Sequence, residues 1–475
     1  MTSPGTRKRI AAFFCLTLLA GALLAASSEP PGMRGPLRRH PTNPRYFTDD
    51  SGRAILLTGS HTWNNLVDMG PSDPPPRFDF DKYLDWLSAY PHNFFRLWAW
   101  ELTEWDAPAY REKGAPPLYA APHPWKRVGP GKALDGKPKF DLQQFDAEYF
   151  DRLRTRVKAA QDRGIYAAVM LFEGWGIQFS PNAFQRHPFH PENNVNGVNG
   201  DLDGDGKGLE IHTGRSREIT ALQRAYVQKV IDTVNEFDNV LYEISNENHP
   251  PSTDWQYDMI RFIHEQEKAK PKQHPVGMTF QYKGGSNKTL FDGPADWISP
   301  NSDGGYRDDP PASNGAKVIL NDTDHLWGIG GNIGWCWKSL MRGMNPIFMD
   351  LYDGKVLSKP AGPKADKPPD YEPIRRTMGY ALRLSRRVDL ASLAPRGELA
   401  STKFCLANPG KEYLVYLPDG GEATLDLSAA RGPFAVEWLN PRTGKTTAGK
   451  PVSGGAPRPF QAPFEGDAVL WVKGN

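Results

Sequence analysis

The stretch that decides the fold is Asn239-Val240-Leu241-Tyr242-Glu243-Ile244-Ser245-Asn246-Glu247-Asn248-His249. A short apolar run ends in an Asn-Glu pair, which predicts a buried strand whose C-terminal end carries a carboxylate. In a parallel α/β barrel, groups at strand C-terminal ends sit over the mouth and face a ligand. A carboxyl held in a partly apolar site stays protonated near neutral pH and can act as a general acid. The structural alternative for Glu247 is a cap on the next helix or a partner for an arginine.

Outward from this strand, similar runs recur at residues 55–57, 94–98, 166–172, 276–280, 297–298, 318–320 and 347–349. Residues 46–48 and 54–57 flank the turn Asp49-Asp50-Ser51-Gly52 and predict a hairpin. Helical spacing of apolar residues marks 145–160, 219–237 and 255–264. Strands alternating with helices predict βα units on a parallel sheet. Eight such strands over about 300 residues fit an α/β fold of the (β/α)8 TIM-barrel type, with a doubly wound open sheet as the alternative. Two insertions, 103–140 and 176–215, follow candidate strand ends. On a barrel they would build the walls of a pocket.

From residue 396 the texture changes to short strands separated by turns such as Asn408-Pro409-Gly410 and Asp419-Gly420-Gly421. This predicts a small all-β sandwich over 396–475 behind a barrel over 44–395. At the other end, Arg7–Arg9, an apolar run over 10–24 and Ala25-Ala26-Ser27 have the order of an export signal. Residues 1–28 are therefore expected to be a signal peptide and 29–43, rich in Pro and Arg, a linker. The expected location is secreted or periplasmic, with no membrane contact after cleavage.

The chain has 475 residues and a net charge of +2. Without Arg7–Arg9 there are 54 basic residues against 55 acidic ones. That balance argues against nucleic acid as a partner. Only Cys336 and Cys405 lie beyond the signal, too few for a disulfide scaffold or a zinc cluster. Twelve of the 14 Trp lie between Trp63 and Trp337. They serve either as core or as flat faces suited to sugar rings. No G-x-S-x-G elbow, H-E-x-x-H helix, P-loop or dinucleotide fingerprint is present.

The Asn246-Glu247 strand resembles the fourth-strand motif of the glycoside hydrolase superfamily of (β/α)8 barrels that includes the family 5 cellulases. The resemblance extends over about residues 44–395. It implies an acid/base role for Glu247 and a contact from Asn246 to a sugar 2-hydroxyl. Asn93-Phe94-Phe95-Arg96-Leu97 resembles the family's second strand, which implies that Arg96 supports the nucleophile. His61 and Trp63 fall where relatives place substrate contacts after strand 1. The last 80 residues resemble a small β domain named for collagen binding, for which a structural or sugar-binding role is as good a reading.

One departure matters. Relatives end strand 7 in a nucleophilic glutamate, whereas this chain reads Leu320-Asn321-Asp322-Thr323-Asp324-His325. Asp322 falls at the family position and Asp324 two residues on. Either is a candidate nucleophile or base; support of a loop, or of a cation, is the alternative. An aspartate withdraws the carboxylate by about 1.5 Å. That bears on the carboxyl separation, which is about 5–5.5 Å in retaining and about 6.5–9.5 Å in inverting enzymes.

The remaining substrate-binding candidates are Trp98, Glu173, Trp175, Tyr282 and His325. Glu101, Asp350 and Tyr352 carry less weight, and Trp335 and Trp337 are read as core or stacking residues. No cofactor is required by this reading. One metal is a candidate: Asp201, Asp203 and Asp205 with Gly206 match the first half of a calcium loop. His212 occupies the place of its closing glutamate, and Glu210 is the substitute. An acidic solvated turn is the alternative.

The function expected is hydrolysis of O-glycosidic bonds in a poly- or oligosaccharide. The rival is a carbohydrate- or matrix-binding protein on a degenerate barrel. Sugar, linkage and oligomeric state carry no signal in the sequence.

Overall fold

The computed structural model describes residues 1, 32–354, 356–359 and 369–474. The export signal expected over 1–28 lies, beyond Met1, outside the described residues. No described helix is long and apolar enough to cross a membrane.

Eight parallel strands form one sheet. They are β1 (Gly59–His61), β2 (Phe94–Leu97), β3 (Tyr166–Glu173), β4 (Val240–Asn246), β5 (Val276–Thr279), β6 (Trp297–Ser299), β7 (Val318–Asp322) and β8 (Asn345–Met349). Their order is β1-β8-β7-β6-β5-β4-β3-β2, each beside its sequence neighbour, so the sheet winds one way and is not doubly wound. The seam between β1 and β2 is nearly closed. The Asn93 N–H donates to Thr58 O at 3.0 Å. Gly59 permits this approach, since a Cβ there would lie 2.0 Å from Phe94 O.

Helices α1 (Phe80–Ala89), α2 (Ala147–Asp162), α3 (Arg217–Val234), α4 (Thr253–Glu267), α5 (Asn287–Asp292), α6 (Ile333–Met341) and α7 (Glu372–Ser385) accompany the strands. Several starts are written in the sequence. Asp79, Asp146 and Ser216 each accept a backbone N–H from the first turn of their helix. On α3 the three- and four-residue spacing buries Ile219, Tyr226, Val227, Val230 and Val234 against the barrel.

Two expectations need correction. The first barrel strand is Gly59–His61, not 55–57; Ile55 instead pairs with Phe47 in the hairpin, and the Leu57 N–H donates to Asn345 Oδ1 at 2.9 Å. The second concerns the described part of the expected linker, which is folded. Arg38–Arg39 pairs with Phe47–Thr48, and Asn43 Nδ2 donates to Leu390 O and Leu393 O. Leu37 packs with Phe47, Leu57, Phe94, Trp297 and Val318, closing the N-terminal end of the barrel. The Pro/Arg composition hid this apolar anchor.

The C-terminal β domain has two antiparallel layers. The larger contains Cys405–Asn408, Glu412–Leu417, Ala468–Gly474, Pro433–Leu439 and Thr446–Ala448 in that spatial order. The smaller pairs Glu422–Asp426 with Pro457–Gln461. Leu425 and Phe460 of one layer share a core with Val415 and Leu470 of the other. The domain also packs on the barrel. Trp337 of α6 stacks on Tyr416 at 6.4 Å, and Arg387 forms a two-bonded pair with Glu437. Cys336 and Cys405 are buried and free.

Candidate active site

Several strand C-terminal ends converge on a cavity of about 470 Å³. That volume suits a small organic ligand. Glu173, the last residue of β3, is paired in register with Asn246, the last residue of β4. Both line the cavity, and Glu247 and Asp324 join them.

Glu247 follows directly on β4 with φ at +44°. A non-glycine residue in the left-handed region bears a cost on the order of 1–3 kcal/mol, which such sites tolerate when the surroundings hold the backbone. Here the Glu247 N–H donates to Thr279 Oγ1 at 3.2 Å, and Gln178 Nε2 donates to Glu247 O at 2.9 Å. Burial, then the charge of Asp324, pushes the Glu247 carboxyl well above the usual carboxylate range; Arg96 pulls the other way.

Asp322 and Asp324 part company at the end of β7. Asp322 is 1% exposed and is absent from the cavity lining. It caps the one-turn helix Thr323–His325 by accepting the Asp324 N–H at 3.0 Å, which turns the Asp324 side chain toward the cavity. Asp322 also accepts from His61 Nε2 at 2.9 Å and from Arg96 Nη1 at 3.2 Å. Burial opposes its charge, but His61 and Arg96 hold its carboxyl far below the usual value. Asp324 accepts from Arg96 Nη1 at 2.9 Å. Burial raises it to about 6 against the pull of Arg96.

Arg96 is the hub beneath the floor. Its Nε and Nη2 donate to the two oxygens of Glu243 at 2.8 and 2.6 Å, and Nη2 also donates to Asn246 Oδ1 at 2.5 Å. One guanidinium thus binds three carboxylates in a buried setting, the arrangement a planar five-donor fork permits. With Asn246 Oδ1 held by Arg96, the amide nitrogen donates to the Glu173 carboxyl beside it at the cavity floor.

His61 lies one layer down and is fully buried. Trp98 Nε1 donates to His61 Nδ1 at 3.0 Å, so the ring proton sits on Nε2 and is donated to Asp322. Neither His61 nor Arg96 lines the cavity: His61, a substrate-contact candidate, does not reach it, and Arg96, also a substrate-binding candidate, instead binds Asp322 and Asp324 from below, as support of a nucleophile candidate would require. The sequence motif located them near the site but could not say on which side of its floor.

The remaining expected residues divide cleanly. Trp63, Trp98, Trp175, Tyr282 and His325 line the cavity. His325 Nδ1 and the Ser299 hydroxyl are 2.7 Å apart, and burial drives the His325 pKa down to about 3, so the ring is neutral. Tyr282 stands at the rim, 37% exposed, edge-on to Phe179. Glu173 accepts the N–H groups of Trp175 and Gly176, yet burial and the charge of Glu101 push it up to about 8.

Glu101 is not in the lining. It binds His187 and His212 and accepts the Glu173 N–H at 2.9 Å. Asp350 is buried against Arg375 at 2.7 Å, and Tyr352 packs on Trp86. Trp335 and Trp337 belong to the buried face of α6.

Sequence reasoning missed Glu243, Trp100, Trp105 and Trp327. Glu243 was legible as a charge inside an apolar strand, which demands a buried partner. Trp105 bridges Trp63 at 5.2 Å and Trp175 at 5.6 Å, extending the cavity wall into an aromatic row.

In the 176–215 insertion, Asp201, Asp203 and Glu210 each place an oxygen within 4.8 Å of the others. Asp205 does not join them. It accepts from Lys207 Nζ at 2.6 Å.

Residues 394–473 match the family described as "Putative collagen-binding domain of a collagenase". Residues 110–282 match a family described as a domain of unknown function, DUF6298. No curated protein matches the chain. Among solved structures, a family 5 glycoside hydrolase from Bacteroides vulgatus aligns with a TM-score of 0.60 at 12% identity, covering 92% of this chain and 93% of that one. A second glycoside hydrolase structure aligns at 0.59 and 12% identity, covering 92% and 97%. A structure described as a "putative glycoside hydrolase from Bacteroides vulgatus" aligns at 0.57 and 12%, covering 93% and 82%. The chain therefore has the barrel-plus-β-domain fold of structures known as glycoside hydrolases, with the family 5 barrel among them.

Proposed function

We propose that the protein is an exported glycoside hydrolase that cleaves O-glycosidic bonds of a poly- or oligosaccharide. The observation that carries this reading is the pairing of Glu247 and Asp324 in one aromatic-walled cavity, with environments that set their protonation states apart. Glu247, held protonated by burial and by the negative charge of Asp324, donates its proton to the leaving glycosidic oxygen as the C–O bond breaks. Asp324, ionised at neutral pH beside Arg96, faces the cation that develops at the anomeric carbon. It either attacks that carbon, forming a glycosyl ester that water then cleaves with Glu247 as base, or takes a proton from the water that attacks the carbon directly. Asp322 serves below, orienting Arg96 and His61. The Asn246 amide, shared with Glu173, has a second proton for a ring hydroxyl, and Trp63, Trp98 and Trp175 offer faces to sugar rings. Export rests on the order of charge, apolar run and small residues in 7–27.

One observation favours a binding protein without turnover: no glutamate ends β7. The two readings separate in one experiment. The full chain, Glu247→Gln and Asp324→Asn are incubated with a broad panel of plant and microbial glycans, and new reducing ends are counted. Turnover by the parent, lost in both variants, supports the hydrolase. The first-formed anomer, followed by NMR, assigns Asp324 as nucleophile or base. Glycan binding without turnover in the parent would overturn the proposal in favour of the binding protein.

A further inference from the structure

We infer that the 176–215 insertion holds a calcium ion between Asp201, Asp203 and Glu210. Their oxygens all lie within 4.8 Å of one another. Two oxygens bound to one Ca²⁺ at about 2.4 Å are at most about 4.8 Å apart, a limit that each pair meets; for Mg²⁺, at about 2.1 Å, the limit is about 4.2 Å.

An independent feature is the state of Glu210. Its side chain is only 10% exposed, and its Oε2 is buried with no hydrogen-bond partner. A carboxylate oxygen left unpaired out of water is costly, and a cation would satisfy it. The protein's own cations do not. The Arg215 guanidinium is 4.0 Å from Oε1 and largely exposed, while Lys207 is engaged by Asp205.

The ligand set differs from the calcium-loop pattern of the sequence. Positions 1 and 3 of the loop, Asp201 and Asp203, are kept. The fifth, Asp205, has left for Lys207, and Glu210 supplies the most buried carboxylate of the three in place of position 12. Backbone carbonyls and water would complete the six to eight oxygens that Ca²⁺ takes.

The location suggests what the ion would do. Glu210 sits on the short turn Leu209–His212. From the same turn, Leu209 O accepts from His249 Nε2 at 2.9 Å, two residues past Glu247, and His212 Nε2 lies 3.1 Å from Glu101. Glu101 in turn accepts the Glu173 N–H. An ion on Glu210 would stiffen the turn that braces two walls of the cavity without touching substrate.

The test is isothermal titration calorimetry of the full chain, stripped with a chelator, against CaCl₂ and separately MgCl₂. Asp201→Asn and Glu210→Gln are titrated alongside. The expected result is one Ca²⁺ per chain, affinity at least tenfold weaker in each variant, a weaker response to Mg²⁺, and a rise in Tm with Ca²⁺ that the variants lose. No saturable heat in the parent overturns the site, as does unchanged affinity in both variants. Equal affinity for Mg²⁺ overturns the choice of metal. Should a variant fail to fold, the parent titration and its calcium-dependent Tm decide alone.

Discussion

Asp322 and Asp324 share one donor: Arg96 Nη1 lies 3.2 Å from the first and 2.9 Å from the second. Asp324 reaches the cavity, and Asp322 is sealed beneath it. Two like residues, two positions apart, thereby take different roles. One faces the cavity, and the other is held below by the same positive charge.

Substituting the two should separate those roles. Asp324→Asn is expected to lower kcat by about 10²–10⁴-fold, the range for loss of an acid–base or nucleophilic group, with a modest change in Tm. Asp322→Asn removes one partner from a buried ion network, which costs about 3–5 kcal/mol, so its Tm should fall by many degrees. Thermal melts beside kcat on a cleaved glycan check this. A larger Tm loss in Asp324→Asn would reverse the assignment.

Glu247→Gln keeps size and shape but cannot donate the proton. Its kcat should drop by about 10³-fold on substrates with poor leaving groups and by much less on an activated aryl glycoside. Equal losses on both substrates would point away from a general acid.

The pH profile follows from the sign of each shift. Asp324 works ionised and is raised to about 6, so kcat/KM should climb as pH rises through that value. Glu247 works protonated and is raised well above the usual range, so activity should fall on the alkaline side as it ionises. A bell-shaped curve is expected, and Glu247→Gln should lose its alkaline limb. A rate that does not rise through about 6 would contradict the assignment of Asp324, and a profile without an alkaline limb would contradict that of Glu247.

Arg96→Lys keeps the charge but has neither the fork nor the reach to bind Glu243, Asn246 and both aspartates together. A loss of about 3 kcal/mol or more is expected from the exposed imbalance of buried carboxylates. Chemical denaturation measures it. A Tm within two degrees or so of the parent would show that the hub is dispensable.

The β domain should not be separable. Ending the chain after Pro395 would uncover Trp337, which stacks on Tyr416, and Thr377, whose hydroxyl donates to Pro441 O. Such a truncation is expected to yield aggregated or poorly melting protein; a soluble barrel with the parent Tm would refute the dependence.

The legible part of this protein was the part written in local pattern. Apolar runs and three-to-four spacing revealed β2 to β8 and the helices α2, α3 and α4 because periodicity is a property of neighbouring residues. Glu247 and Asn246 were legible because their place at a strand end fixes the mouth of the barrel they face. Trp63, Trp98 and Trp175 could be anticipated in the wall for the same reason. Leu37 was hidden because one apolar residue in a Pro/Arg stretch has no period, and Gly59–His61 because that strand is short and carries no apolar run.

By itself, then, the sequence determined the fold class, the order of elements and the strand ends that meet at the cavity. Only the tertiary structure decided which aspartate of Asp322-Thr323-Asp324 faces ligand, that His61 and Arg96 lie below the floor, and that Asp205 turns to Lys207 while Glu210 turns inward. Those outcomes depend on where a side chain points after a single helical turn and on which partners arrive from more than 100 residues away, as Glu243 and Asp322 do at Arg96. A buried charge takes its role from whichever opposite charge the fold brings to it, and that partner is not encoded in its own neighbourhood.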